Sequence, residues 1–575
     1  MKNLSERKLI NITYFLIVIS IGFLSTLVNW TPGGESWGYW FFNKELQETG
    51  TFVINDRSPL FTVYLSLFSW LNYPSNIILQ HAFSSIILLL SFLYLFRKLT
   101  WLPIILIASA AWLPFLLVQE PPTQVMALAF SNFAVGYRVG KENNLNLGIF
   151  YFLLFCSFLF RGTYVILLIA FIVYDLYIAS KKGYKLKYFA KNIKSSIVYF
   201  VPILLIVLLT FLRQSPHPFN NAWFTSTDWT PNDGKSMVDA SFIQSSHERY
   251  IRKTYGECCL PEHSMYYKKE GPFNSASNVI TAIKENPVFI LEEIYVKTQE
   301  YVATLVHLTN YNLRWVKNKH GIAYQLAKLA GLLIVVIIVY FALSFSRGKP
   351  ALTILVISTI ISSGLTIVLN EPKQRYLVMW APVFIFSYLW AVHLIRYKLF
   401  RFLKIKNYKI NNMIALAIML FILKYANSPS LYWNEVTINI NNSINTGQIS
   451  MLDNLEVNRN SNNINSIKSV INRCSNVLAT TDALYIGAFT DIKLKNITDY
   501  YIFPPSDLEK VDYTEYLDLK FDCIFVFDKM TKSNEYQFTN FILPLQEDMI
   551  KRGGVKLRLP YYGYVTILPI ESNIE

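Results

Sequence analysis

The chain is poor in charge: 16% of its 575 residues are Asp, Glu, Lys or Arg, against about a quarter in an ordinary soluble protein. It has five cysteines and seven histidines, and none of them stands at metal-ligand spacing. The histidines of the long central segment, His217, His247, His263 and His307, are scattered and read as loop residues. No Gly-rich phosphate loop is present, so a nucleotide-binding turn is not expected. No small-x-small exit follows the first apolar run, so residues 9–28 are predicted to remain as a membrane span and not to be cleaved as a leader. No internal repeat is visible, which argues against a carrier built from inverted halves. A basic reading element is missing too, so the net charge of +15 does not point to nucleic acid.

What the chain has instead is apolar sequence. Hydrophobic residues make up 53% and aromatic residues 16%, with a mean hydropathy of +0.30. Long apolar runs of this kind define a polytopic α-helical membrane protein. Eleven spans are predicted, at roughly 9–29, 76–96, 101–118, 123–138, 146–160, 162–180, 196–213, 321–346, 350–369, 374–395 and 410–427. With the N-terminus inside, the inner loops carry 21 basic residues, including the runs Lys181–Lys194 and Arg396–Lys409. The short outer loops carry five: Lys44, Arg57, Arg161, Lys373 and Arg375. That asymmetry sets the orientation, and the odd number of spans places the C-terminal region outside.

The division expected is a transmembrane domain over 1–427, with outer loops at 30–75 and 214–320, and an extracytoplasmic α/β domain over 428–575. Pro59 to Leu71 is apolar but short for a span, and reads as a helix lying along the membrane or leaning into the protein. Ile280 to Leu308 has helical periodicity. Ile290, Ile294, Val302 and Leu305 form its apolar side, Glu292, Glu293, Lys297 and Glu300 its polar side, and Asn286-Pro287 marks a helix start. In the last region the runs VLATTDALYIGAF, FDCIFVF and YVTILPI read as strands, with helices expected around 506–516 and 535–552. Cys474 and Cys523 are candidates for a disulfide if that region faces an oxidising space.

A few ionisable residues stand at span boundaries, where a charge is costly without a partner or a task. Glu35 follows the first span in Gly34-Glu35-Ser36. Asp56-Arg57-Ser58-Pro59-Leu60 precedes the next apolar stretch, and Glu120-Pro121-Pro122-Thr123-Gln124 follows the third span. Arg161-Gly162-Thr163 divides the fifth from the sixth. Glu371-Pro372-Lys373-Gln374-Arg375-Tyr376-Leu377 precedes the tenth, with Pro382 beyond. Each has a plainer reading. Glu35 is placed as a first-turn acid favoured by a helix dipole. Glu120 has Arg57 or Arg161 as a partner, Arg161 itself can snorkel to the interface, and Lys373 and Arg375 can pair with Glu371.

In this order the segments resemble those of the GT-C membrane glycosyltransferases, the glycosyltransferase family 39 type, which includes protein O-mannosyltransferases and aminoarabinose transferases. The resemblance covers about residues 1–400. One acid stands at Glu35 where two are common, and Glu120 takes the place of an Asp. The resemblance implies a GT-C-like fold in a bacterial plasma (inner) membrane, with a cytoplasmic N-terminus. It implies an inverting transfer of a sugar from a polyprenyl-phosphate donor to a glycan, lipid or protein acceptor. Glu35 would act as base with Glu120 beside it. Arg57, Arg161, Lys373 and Arg375 would hold the donor phosphate, and Asp56 and Tyr376 would complete the site. No metal-ligand set and no cofactor is assigned; a divalent cation is an option if Glu35, Asp56 and Glu120 lie together. The competing readings are a carrier or flippase for a lipid-linked glycan, and a polymerase or ligase of the O-antigen type.

Overall fold

A backbone packed in hydrocarbon or among apolar side chains meets its own hydrogen-bonding needs most readily as a helix, and the apolar runs fold accordingly. The computed structural model describes residues 2–27, 43, 46–52, 59–71, 75–99, 101–119, 122–141, 145–181, 197–213, 246, 249–250, 272–273, 279–309, 322–369, 378–403, 408–425, 433–434, 436–438, 440–441, 477–480, 497–499, 523–527, 543–559 and 563–569. The helices of the first part are α1 (Lys2–Ser25), α2 (Pro59–Ser66), α3 (Ser75–Phe96), α4 (Leu102–Gln119), α5 (Pro122–Gly140), α6 (Leu147–Phe160) and α7 (Val165–Lys181). They continue as α8 (Ile197–Leu212), α9 (Val279–Glu285), α10 (Pro287–Thr309), α11 (Ile322–Ser346), α12 (Pro350–Leu369), α13 (Ala381–Leu403) and α14 (Tyr408–Tyr425).

A helix thus lies on each of the eleven apolar runs, the tenth beginning at Ala381, later than the hydropathy pattern suggested. Among the described residues, four segments are both long and apolar enough to cross a bilayer: Ser75–Phe96, Gly162–Lys181, Leu329–Ser346 and Val378–Lys398. The apolar stretches of other helices, such as Ile12–Ser25 in α1 and Pro350–Thr366 in α12, are shorter. Their outward faces are apolar as well. On α8, Leu204, Leu205, Leu208 and Leu209 are exposed, and on α11 Leu333 and Val336. Apolar area of this extent is costly in water and suits a lipid surround.

The core is built around α3 and α5. A Cβ placed on Gly136 of α5 would come within 2.8 Å of the backbone of Leu95 on α3, so only glycine allows this approach. Asn132 Nδ2 donates to Ser91 Oγ across the same seam at 3.2 Å. Further in, Trp112 of α4 stacks on Phe384 of α13 with centroids 4.7 Å apart, and Phe96 meets Phe386 edge-on at 5.1 Å.

One end of the bundle is closed by an ion pair. Arg138, in the last turn of α5, grips both carboxylate oxygens of Asp175 on α7. Tyr151 of α6 donates to Asp175 Oδ2 at 2.7 Å, and the guanidinium lies over the ring of Phe150. Three helices are thereby fixed at one point. Beside it, Lys98 Nζ donates to the carbonyl of Gly140 at 2.6 Å.

The amphipathic segment departs from the sequence expectation in one respect. Asn286 separates α9 from α10 and caps the latter: its Oδ1 accepts the N–H of Phe289 at 3.1 Å, and Pro287 takes the first helical position. Ile290 and Leu305 are buried as expected, but so are Glu293 and Lys297. The reason is Arg249, from the preceding segment, which lies 3.6 Å from Glu293 and 2.5 Å from Glu300. Paired charges can be buried where single ones cannot. The outward side is mixed, with Val288, Leu291 and Tyr295 exposed beside Glu292 and Glu300.

The last region forms a five-stranded sheet in the order β2-β1-β3-β5-β4, from Val477–Thr480 (β1), Ile497–Asp499 (β2), Cys523–Phe527 (β3), Val555–Leu559 (β4) and Gly563–Pro569 (β5). β1 is parallel to β2 and β3, while β5 runs antiparallel to β3 and β4. The three runs taken as strands supply β1, β3 and β5; the short β2 and the charged β4, Val-Lys-Leu-Arg-Leu, carry a weaker signal. The helix expected around 535–552 appears as α15, Leu543–Lys551; the one around 506–516 lies outside the described residues. Cys523 is disulfide-bonded, its partner lying outside the described residues.

Candidate active site at the Arg161 end of the bundle

Of the residues singled out in the sequence, Arg161 is described. Glu35, Asp56, Arg57, Glu120, Lys373, Arg375 and Tyr376 lie outside the described residues. Elements next to several of these segments in the chain, α2, α5, α12 and the approach to α13, meet at the end opposite the Arg138–Asp175 pair.

Arg161 terminates α6. Its backbone is extended, at φ −151° and ψ 116°, and its N–H still bonds to the Ser157 carbonyl. A single turn of 3-10 helix, Gly162–Tyr164, then leads into α7. The side chain is half-buried, and a Cβ built on Gly162 would meet nothing within 4 Å, so there is open room beside the arginine. Ser157 Oγ donates to the Ala127 carbonyl at 2.7 Å, tying the end of α6 to the start of α5. α6 runs against α5, so Arg161, one turn beyond Ser157, stands level with Gln124, one turn before Ala127. Glu120 lies just ahead of that turn in the chain, between the ends of α4 and α5.

α2 reaches the same place from the first loop. The Tyr64 ring packs edge-on against Phe160 at 6.1 Å, and its hydroxyl donates to the Gln80 carbonyl at 2.7 Å beside Ser84 Oγ at 2.6 Å. Pro59, which opens α2, directly follows the segment of Asp56 and Arg57. The earlier part of that loop is anchored by the Phe52 N–H, which donates to the Arg213 carbonyl at the end of α8 at 2.7 Å, and by Gln47, which donates to the Ser69 carbonyl.

The far side of the same end is tied through α12. Ser362 Oγ donates to the Thr163 carbonyl at 3.2 Å, two residues beyond Arg161. The next residue, Ser363, hydrogen-bonds to the Tyr301 hydroxyl. Trp380 Nε1 donates to both Tyr301 and Ser363 at 2.8 Å. Trp380 stands between the segment of Lys373, Arg375 and Tyr376 and the start of α13. Burial pushes the Tyr301 phenol up to about 12, the hydrogen bonds from Ser363 and Trp380 acting the other way. The phenol is therefore neutral at any working pH.

Sequence reasoning passed over the uncharged polar residues of this end. Asn76, Gln80 and Ser84 recur every four residues along α3, and all three are buried, as are His81, Ser85 and Ser91 of the same helix. The buried amide of Asn43 in the first loop has no hydrogen-bond partner on either atom. The period-four spacing was the available signal. Among the described residues no group of three or more His, Cys, Asp or Glu side chains is placed to hold a metal ion.

Comparison with protein families, with curated proteins and with solved structures finds no match for this chain.

Proposed function

We propose that this chain is an inverting membrane glycosyltransferase, which moves a sugar from a polyprenyl-phosphate donor to an acceptor at the extracytoplasmic face. The observation that carries the reading is the meeting of all the relevant flanks at the Arg161 end: α2 through Tyr64 and Phe160, α5 through Ser157, α12 through Thr163, and the approach to α13 through Trp380. The segments of Asp56, Arg57, Glu120, Lys373 and Arg375 adjoin these flanks in the chain, and Glu35 belongs to the same first loop as Asp56. The eleven helices on apolar runs are taken as eleven crossings, with the Arg161 end outward.

Transfer breaks the bond between sugar C1 and phosphate oxygen and forms a bond from C1 to the acceptor oxygen. The acceptor hydroxyl loses its proton to a carboxylate, assigned to Glu35. The electron pair of the broken bond leaves with the lipid phosphate, whose charge Arg57, Arg161, Lys373 and Arg375 balance. Glu120 orients the acceptor or a basic partner.

The test uses the full chain with a polyprenyl-phosphate hexose in lipid nanodiscs. Glu35→Gln is expected to lower transfer by about 10²- to 10⁴-fold, the usual contribution of a general base, while the melting temperature stays unchanged. Full activity in that variant removes Glu35 from the role. A wild-type protein that carries the lipid-linked sugar across a bilayer without cleaving it is a carrier, not a transferase.

A further inference from the structure

The seam between α3 and α5 holds more buried hydrogen-bonding capacity than the fold uses. Gln80 is fully buried, yet neither its amide oxygen nor its amide nitrogen has a protein partner. Its backbone carbonyl, by contrast, accepts both Tyr64 and Ser84. On α5, Thr123 Oγ1 and Gln124 Oε1 are buried and unpartnered in the same way.

These groups lie at one level. α3 and α5 run in the same direction with an offset of 41 residues, fixed by Ser91 against Asn132 and by Leu95 against Gly136. Carried back toward the helix starts, that offset sets Ser84 opposite Val125 and Gln80 about one turn before it, level with the start of α5. The Ser157–Ala127 bond puts Arg161 at the level of Gln124, and Tyr64 links the Gln80 carbonyl to Phe160, the neighbour of Arg161.

An amide buried without a partner is unfavourable, and a fold that needed only packing here would be served by Leu or Met. What the groups offer together is neutral: an amide that both donates and accepts, a hydroxyl, and an amide oxygen, at the level of Arg161 along the bundle. Hydroxyl groups of a sugar meet the neutral set and a phosphate meets the arginine.

We infer that Gln80, Thr123 and Gln124 form the wall that recognises the sugar hydroxyls of a phosphate-linked glycosyl lipid held at Arg161. The inference rests on the glycosyl-transfer reading above. It gives these residues a specificity role that no charged residue fills.

The test compares two probes on the full chain in nanodiscs by thermal shift: bare polyprenyl phosphate, and polyprenyl phosphate carrying one hexose. Wild type is expected to respond to both, with about tenfold tighter apparent binding of the sugar-bearing lipid, the effect of one or two well-made hydrogen bonds. Gln80→Met should erase that preference, keep the response to bare lipid, and leave the unliganded melting temperature unchanged or raised. A Gln80→Met protein that keeps the preference overturns the inference. If that variant responds to neither lipid, Gln124→Met is judged by the same criterion. A wild type that binds the two lipids equally sinks the sugar wall alone. A wild type that binds neither sinks the functional reading beneath it.

Discussion

The phenol of Tyr301 lies between Ser363 and Trp380, so one hydroxyl joins the amphipathic helix α10 to α12 and to the approach of α13. Tyr301→Phe removes both of these bonds but leaves Trp380 its bond to Ser363, so the expected loss is about 1–3 kcal/mol, about 0.5–1.5 for each bond. Its pH signature is more specific. The unfolded phenol titrates near 10 and the folded one at about 12, so the folded state holds its proton longer. Stability from this group is complete below pH 10 and falls as the pH rises toward 12. Melting curves between pH 9 and 12 should show a steeper decline for wild type than for Tyr301→Phe; parallel declines would place the buried phenol elsewhere. The Arg138–Asp175 pair is the other decisive contact. Removing one partner of a buried pair costs about 3–5 kcal/mol, whereas replacing both by apolar residues is often neutral. Asp175→Leu should therefore unfold at markedly lower temperature, and Arg138→Met with Asp175→Leu should recover most of the loss.

At the scale of elements, α3 and α5 pack with backbones in close approach, and Gly136 is the residue that permits it. Gly136→Val places a branched side chain against the Leu95 backbone and the Tyr94 ring. Overpacking of this kind costs about 1–3 kcal/mol, and the shift would travel along the seam to Gln80 and Gln124. Gly136→Ala should be milder, and a Gly136→Val protein with unchanged melting and unchanged lipid response would show that the seam tolerates separation. The helices were legible in the sequence because each apolar run is long and bounded by Gly, Pro or basic residues, as at Ser346–Pro350 and Phe96–Leu102. The sheet was half legible: β1, β3 and β5 are apolar runs, while β4 alternates Lys and Arg with apolar residues at the sheet edge, where polar side chains are expected and the strand signal is weak. The burial of Glu293 was not legible locally, because one of its partners is Arg249, more than forty residues away; the i,i+4 pairing of Glu293 with Lys297 was. Gln80 was missed for a related reason: a charge stands out in an apolar run, but a neutral amide stands out only through its spacing from Asn76 and Ser84.

For the whole molecule, the functional reading depends on which side of the bilayer the Arg161 end faces. In the predicted loop assignment the inner loops hold the basic runs Lys181–Lys194 and Arg396–Lys409, and the short outer loops, with Arg161, hold five basic residues. In the proposed topology the basic loops are kept on the cytoplasmic side, which would turn Arg161 outward. The eleven proposed crossings would then carry the sheet region to the same side as Arg161. The disulfide at Cys523 is consistent with that placement, since such bonds persist in oxidising compartments and are rare in the cytosol. The orientation can be measured on whole cells. A protease site inserted after Glu575 should be cut by protease added from outside, whereas one inserted ahead of Lys2 should be cut only after the membrane is opened. A membrane-impermeant thiol reagent should label a cysteine introduced at Gly162, where a new Cβ meets open space, and should fail to label one introduced at Lys349, in a loop of the opposite end. Labelling of position 349 but not 162 would put the arginine on the cytoplasmic side, where a lipid-linked donor presented outside cannot reach it.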